Sequence, residues 1–169
     1  MHNSLYLQVD GVTGEAKDSR HKGWIDVQTF RWQLRQPTEA GVGGGGGCGR
    51  LVVRDLEVFA RMDKAMPTLM TLGAEGKRLK TVSVVMCKAG SEQDEYLHII
   101  LKTVMLSGIE IGTHSGDDGI DGGALSKGDI GVIYRFSPSL VEVNYHEQDE
   151  NGSPGPQVTF NWDVKGNTQ

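Results

Sequence analysis

Val158-Thr159-Phe160-Asn161-Trp162-Asp163-Val164 places apolar side chains at 158, 160, 162 and 164 and polar ones between them. A period of two marks a strand with one face in a core and the other in water. Leu140-Val141-Glu142-Val143-Asn144-Tyr145 upstream follows the same strand grammar. The connection contains Asp149-Glu150-Asn151-Gly152-Ser153-Pro154-Gly155-Pro156, which is turn chemistry throughout. The two segments therefore read as an antiparallel hairpin.

The grammar repeats towards the N-terminus. Leu5-Tyr6-Leu7-Gln8-Val9 is a first strand, closed by Asp10-Gly11. Residues 13–23 are polar and irregular. Residues 24–34 form a long strand whose phase changes: Ile25 and Val27 share one parity, while Phe30, Trp32 and Leu34 share the other. A bulge or a switch of sheets near Gln28-Thr29 reconciles them. Residues 51–61 read as the next strand, and residues 79–88 and 96–106 as a pair turning at 89–94. The segment 131–137 leads into the closing hairpin. The one good helix spans residues 63–73, with Asp63 as its cap, Pro67 in its first turn, and Gly73 or Gly76 at its end. Leu69, Met70 and Leu72 are its expected apolar face. The total is seven to nine strands and one helix, which predicts a β-barrel or sandwich.

Length and charge narrow the class. A chain of 169 residues predicts a single domain, residues 1–169. Two Gly-rich stretches, 36–49 and 112–128, read as flexible loops, because a run such as Gly43 to Gly47 carries the largest backbone entropy of any sequence. The net charge of −5 and the scattered Lys and Arg argue against a nucleic-acid surface. The small cluster Lys77-Arg78-Leu79-Lys80 reads as a solvent-facing strand entry. Cys48 and Cys87 show no disulfide spacing and read as free thiols. The N-terminus lacks the basic and apolar regions of a secretory signal, and no stretch is apolar for long enough to span a bilayer.

Catalytic and metal motifs fail on their chemistry. Gly41-Val42-Gly43-Gly44-Gly45-Gly46 fits a dinucleotide fingerprint in spacing, but a strand follows it where a helix N-terminus is needed to receive the pyrophosphate. Asp117-Asp118-Gly119-Ile120-Asp121-Gly122 resembles half a calcium loop, yet Gly128 stands where the bidentate Glu belongs. Gly112-Thr113-His114-Ser115-Gly116 puts its Ser one place off a nucleophile elbow. None of the five His sits at a metal-ligand spacing. No enzyme activity, metal or cofactor is therefore expected. Trp24, Trp32 and Trp162, with Phe30 and Phe160, read as core rather than as a ligand platform.

An ordered set of short motifs then becomes visible. Gly14-Glu15 precedes Asp18 and His21-Lys22, and Ile25-Asp26-Val27 leads to Phe30-Arg31-Trp32. Gln36-Pro37 precedes the five-Gly loop, and Leu51-Val52-Val53-Arg54-Asp55-Leu56 precedes Asp63-Lys64-Ala65-Met66-Pro67-Thr68-Leu69. Gly76-Lys77, Lys88-Ala89-Gly90, Glu95-Tyr96-Leu97, Tyr145, and Gln148 to Ser153 complete it. Each motif alone is weak, but their order along nearly the whole chain resembles the Hcp family (hemolysin-coregulated protein), the tube protein of bacterial type VI secretion.

The resemblance implies a mainly β fold: a closed β-barrel of two antiparallel sheets with one short flanking helix, like a phage tail tube. It implies a homohexameric ring, stacked on copies of itself inside a contractile sheath and capped by a spike protein. It implies small effector proteins held in the ring lumen, and export from the bacterial cytoplasm through the apparatus without a signal peptide. Neither nucleic acid nor membrane insertion belongs to that role. On this basis Thr29, Arg31 and Gln33 are expected to face the lumen and its cargo, while Phe30, Trp32 and Leu34 fill the barrel. A small residue is common in the family where this chain has Arg31. Gly43, Gly44, Gly45, Gly46 and Gly47, with Gly90, Ser91, Gly152 and Ser153, are expected to stack the rings. A monomeric β-barrel ligand-binding module is the alternative.

Overall fold

The computed structural model describes residues 4–37, 49–88, 94–112, 130–148 and 154–169. Its elements run β1 (Ser4–Val9), β2 (Ile25–Arg31), β3 (Leu34–Arg35), β4 (Val52–Val53), β5 (Leu56–Arg61), α1 (Ala65–Ala74), β6 (Leu79–Cys87), β7 (Glu95–Gly112), β8 (Gly131–Ser137), β9 (Leu140–Gln148) and β10 (Pro154–Asp163). One antiparallel sheet runs β10-β9-β7-β6-β1-β2-β5-β8, and a further β7–β8 pairing closes it. The closed part is a six-stranded barrel, and the β9–β10 hairpin continues the sheet beyond it. A separate ribbon, β3–β4, stands beside the wall. The mainly β barrel with one flanking helix is thus present.

Alternation explains the interior. Leu7, Val9, Val58, Val82, Val84, Leu101, Tyr134 and Phe136 are buried in one core, and each belongs to the inward parity of its strand. The closing hairpin pairs as expected, with Phe160 opposite Val143 and Trp162 opposite Val141. The register shift between Val27 and Thr29 is the bulge expected at Gln28-Thr29. Phe30 and Trp32 pack against the core.

Leu34 departs from expectation and is 40% exposed. After Arg31 the chain leaves the barrel, and Leu34 pairs with Val53 in the ribbon instead. For the same reason residues 51–61 are two strands, with Arg54 and Asp55 at the break.

β7 serves two neighbours in turn. Leu97 to Lys102 pair with β9, and Met105 to Gly112 pair with β8. Between them Thr103 takes a φ of 51°. That region is an outlier for a β-branched residue, and it costs on the order of 1–3 kcal/mol. Thr103 falls where β7 passes from one partner strand to the other.

The helix buries Ala65 and Leu69, with Leu72 packed against the core at the next turn. This i, i+4, i+7 stripe leaves Met70 outside it at 45% exposure, a correction to the expected face. Asp63 Oδ1 accepts the Ala65 N–H at 2.9 Å, and Lys64 N–H donates to Glu15 Oε2 at 2.9 Å. Gly76, not Gly73, ends the helix. Its φ of +64° lets Lys77 N–H reach Leu72 O and Gly76 N–H reach Gly73 O, which satisfies the last carbonyls.

A strap formed by residues 10–24 crosses the outer face of β1 and β6. A second small core lies beneath it, made of Tyr6, Ala16, Val85 and Cys87 with Trp24 against them. Gly14 is required there: a Cβ would stand 2.4 Å from Trp24 O.

Candidate functional site

Four charged side chains cross the outer face of the barrel wall. Arg31 on β2 lies opposite Glu57 on β5, and Glu57 lies opposite Arg135 on β8. Arg31 Nε donates to Glu57 Oε2 at 2.8 Å, and Arg135 Nε donates to Glu57 Oε1 at 3.0 Å. Arg135 Nη2 then donates to Glu110 Oε2 on β7 at 3.0 Å. The result is a ladder of alternating sign over four strands. Burial disfavours the Glu57 charge, but hydrogen bonds from Arg31 and Arg135 outweigh it and hold the carboxyl below its ordinary range. Arg135 is raised: burial opposes its charge, and Glu57 and Glu110 more than restore it. The middle of the ladder is the driest part. Glu57 has 17% of its side chain exposed, against 55% for Arg31 and 50% for Glu110.

A cleft of about 840 Å³ lies between this wall and the ribbon. Arg31, Trp32, Gln33 and Arg54 line it together with Glu57 and Arg135. Trp32 Nε1 donates to Arg54 O at 3.0 Å, and Arg54 N–H donates to Gln33 O at 2.9 Å, so the ribbon is tied to the wall. Asp55 Oδ2 accepts the Ser107 hydroxyl at 2.6 Å. The cleft offers guanidinium donors and an indole face. Its geometry suits binding.

Of the residues read as facing cargo, Arg31 and Gln33 line this cleft. Thr29 shares the parity of Arg31 but sits half-buried opposite Phe59, outside the cleft. The residues read as stacking rings (Gly43 to Gly47, Gly90, Ser91, Gly152 and Ser153) lie outside the described residues, as does Cys48. So does most of the two loops read at 36–49 and 112–128. The ends of the first loop meet, with Gln36 Nε2 donating to Gly49 O at 3.2 Å. Among the described residues no cluster of His, Cys, Asp and Glu could hold a metal ion. No helix there is long and apolar enough to cross a membrane. The three Trp residues occupy separate places: Trp24 under the strap, Trp32 at the cleft, and Trp162 stacked on Phe160 in the hairpin.

Sequence reasoning missed Glu57, Arg135 and Glu110. A signal was available, since Glu57 and Arg135 each interrupt an otherwise apolar strand.

A second charged cluster was also missed. His21, in the strap, is 0% exposed. Its Nδ1 lies 2.6 Å from Asp18 Oδ1 and its Nε2 lies 2.8 Å from Glu95 Oε1. The ring stacks on Tyr6 with centroids 4.4 Å apart, and Trp24 meets it edge-on. Burial opposes the charge of Asp18, but hydrogen bonds from the His21 ring and from the backbone N–H of Arg20 and His21 lower its pKa. Burial pushes the nearby Cys87 thiol up to about 11, with the Glu95 charge adding to it, so this sulfur is a poor nucleophile. The cluster fastens the strap to the start of β7.

The fold is a closed six-stranded barrel with a sheet extension, one helix and a charged outer wall, the class of β-barrel proteins. The comparisons agree. The family described as "Type VI secretion system effector, Hcp" matches residues 6–149. Protein hcp1 of Pseudomonas aeruginosa is 33% identical over 167 residues, covering 98% of this chain and 97% of the relative. Hcp1 from Salmonella typhimurium superposes with a TM-score of 0.78 at 25% identity, covering 99% of both chains. A solved type six secretion system protein shares the fold with a TM-score of 0.85 at 23% identity, again over 99% of both chains. The chain belongs to the Hcp family. It is a type VI secretion system protein, and the family is structural and secreted.

Proposed function

We propose that this chain is the subunit of the type VI inner tube, forming hexameric rings that stack. The observation that carries this reading is the β9–β10 hairpin. It extends the sheet past the closed barrel and leaves β10 as an edge strand, with Val158 67% exposed opposite Tyr145 at 47%. The Trp162 indole N–H beside them is buried and meets no acceptor among the described residues. An apolar face on an unpaired edge suits a second copy of the same chain, and heterologous contacts of this kind close into rings.

On this reading residues 1–169 are one unit. The outer wall carrying Thr29, Arg31 and Gln33 lines the lumen and holds small effector proteins. The Gly43 to Gly47 loop and the turns at Gly90-Ser91 and Gly152-Ser153 meet the neighbouring ring, and sheath and spike proteins complete the assembly. The protein starts in the bacterial cytoplasm and leaves through the apparatus.

Light scattering after size exclusion at two concentrations tests the ring. A hexamer that Val158→Lys weakens is the expected result. A monomer at both concentrations overturns the reading and favours a solitary binding barrel.

A further inference from the structure

We propose that the cleft beside the β3–β4 ribbon docks an extended acidic segment of a partner protein, gripped by Arg31 and Arg54 with Trp32 as the apolar wall. This deepens the tube reading, which supplies the partner's arrival at the wall. The chemistry of the cleft stands on its own residues.

The charge inventory decides the partner's sign. Three guanidiniums line the cleft, from Arg31, Arg54 and Arg135, against two carboxylates, Asp55 and Glu57. Both carboxylates are engaged: Glu57 accepts from Arg31 and Arg135, and Asp55 accepts from Ser107. Arg135 is engaged too, between Glu57 and Glu110. Donor capacity remains on the other two. Arg54 is exposed and forms no ion pair among the described residues. Arg31 keeps 55% of its side chain in water. A guanidinium fork matches a carboxylate through two parallel hydrogen bonds, whereas a Lys on the partner would meet the like charge of Arg31 and Arg54. Trp32 and Val53, both half-buried, offer apolar contact to the partner's backbone and methylene groups. A cleft of about 840 Å³ falls in the usual range for ligand sites, roughly 300–1,000 Å³.

Glu57 tunes the grip. Shared between two arginines, it lowers the positive potential of the wall, so an incoming carboxylate competes with it for Arg31. The formal net charge of −5 makes this a local cationic feature on an acidic protein, which disfavours long polyanions.

Fluorescence anisotropy on the full chain tests the proposal. The probes are labelled peptides of equal length with alternating Glu-Gly, Gln-Gly or Lys-Gly, and an oligothymidylate. The Glu peptide is expected to bind at least about tenfold tighter than the Gln peptide, because charge-assisted hydrogen bonds are roughly twice as strong as neutral ones. Arg54→Gln and Arg31→Gln are each expected to weaken it about tenfold, and Glu57→Gln to tighten it. Equal binding of the Glu and Gln peptides overturns the proposal, as does tighter binding of the Lys peptide or the oligothymidylate. Light scattering on the same samples separates the two readings. A hexamer that ignores the Glu peptide loses the cleft and keeps the ring; a monomer that binds it loses the ring and keeps the cleft.

Discussion

The barrel carries two clusters built on carboxylates, one bridged by guanidiniums and one by an imidazole, in different surroundings. The ladder Arg31–Glu57–Arg135–Glu110 lies on the wall, and its outer members are half in water. The group Asp18–His21–Glu95 is built around an imidazole that is fully buried, with Asp18 10% exposed and Glu95 37% exposed at its edges. Exposure decides what each can do. On the wall the cost of breaking a bond is small, so a partner can displace one member, and the cluster suits recognition. In the strap the imidazole that joins Asp18 to Glu95 is fully buried and stacked on Tyr6, so losing it opens a gap in the packing and the cluster suits holding the fold.

The largest test of this contrast is His21→Ala. It removes the buried ring that bridges Asp18 and Glu95 and stacks on Tyr6, and is expected to cost about 3 kcal/mol, read from urea unfolding. A loss below about 1 kcal/mol would remove the distinction between the two clusters. Glu57→Gln comes next, at about 1–2 kcal/mol, because it strips a charge-assisted acceptor from two arginines in the driest part of the ladder.

Acid titration sharpens the comparison further. The Asp18 and Glu57 pKa values are both depressed from their ordinary 3.8 and 4.5. Their stabilisation is therefore fully present above those values and lost as pH falls through the lower folded ones. Asp63 works the other way. Burial raises its pKa, so its contribution favours the fold at low pH and fades as pH rises. Net stability should fall below about pH 4. His21→Ala should flatten the Asp18 part of that fall, and Glu57→Gln the Glu57 part. An acid limb identical in all three proteins would contradict these roles.

The smallest expected effect is that of Arg31→Gln on stability, at most about 0.5 kcal/mol and erased in high salt. A larger or salt-independent loss would mean that the outer end of the ladder is structural after all.

Much of the fold was legible. The hairpin of residues 140–164, the bulge near Gln28 and the helix end at Gly76 all follow from local rules of alternation, phase and left-handed glycine. The site was legible only in part. Arg31 was singled out through a family resemblance, and its partners were not. Met70 looked like core because it follows Leu69, but only packing decides which neighbour of a buried residue turns outward. Residues 13–23 read only as polar and irregular, and nothing in that pattern shows that His21 within them is fully buried.

The sequence by itself determined the strands, their inward faces, the single helix and the family. These rest on interactions between residues a few positions apart, which a linear pattern records. Only the tertiary structure decided which charges meet. Arg31 finds Glu57 across 26 positions, His21 finds Glu95 across 74, and Arg135 finds Glu57 across 78. Those meetings are set by register and by closure of the barrel through the β7–β8 pairing, and neither leaves a periodic trace in the chain.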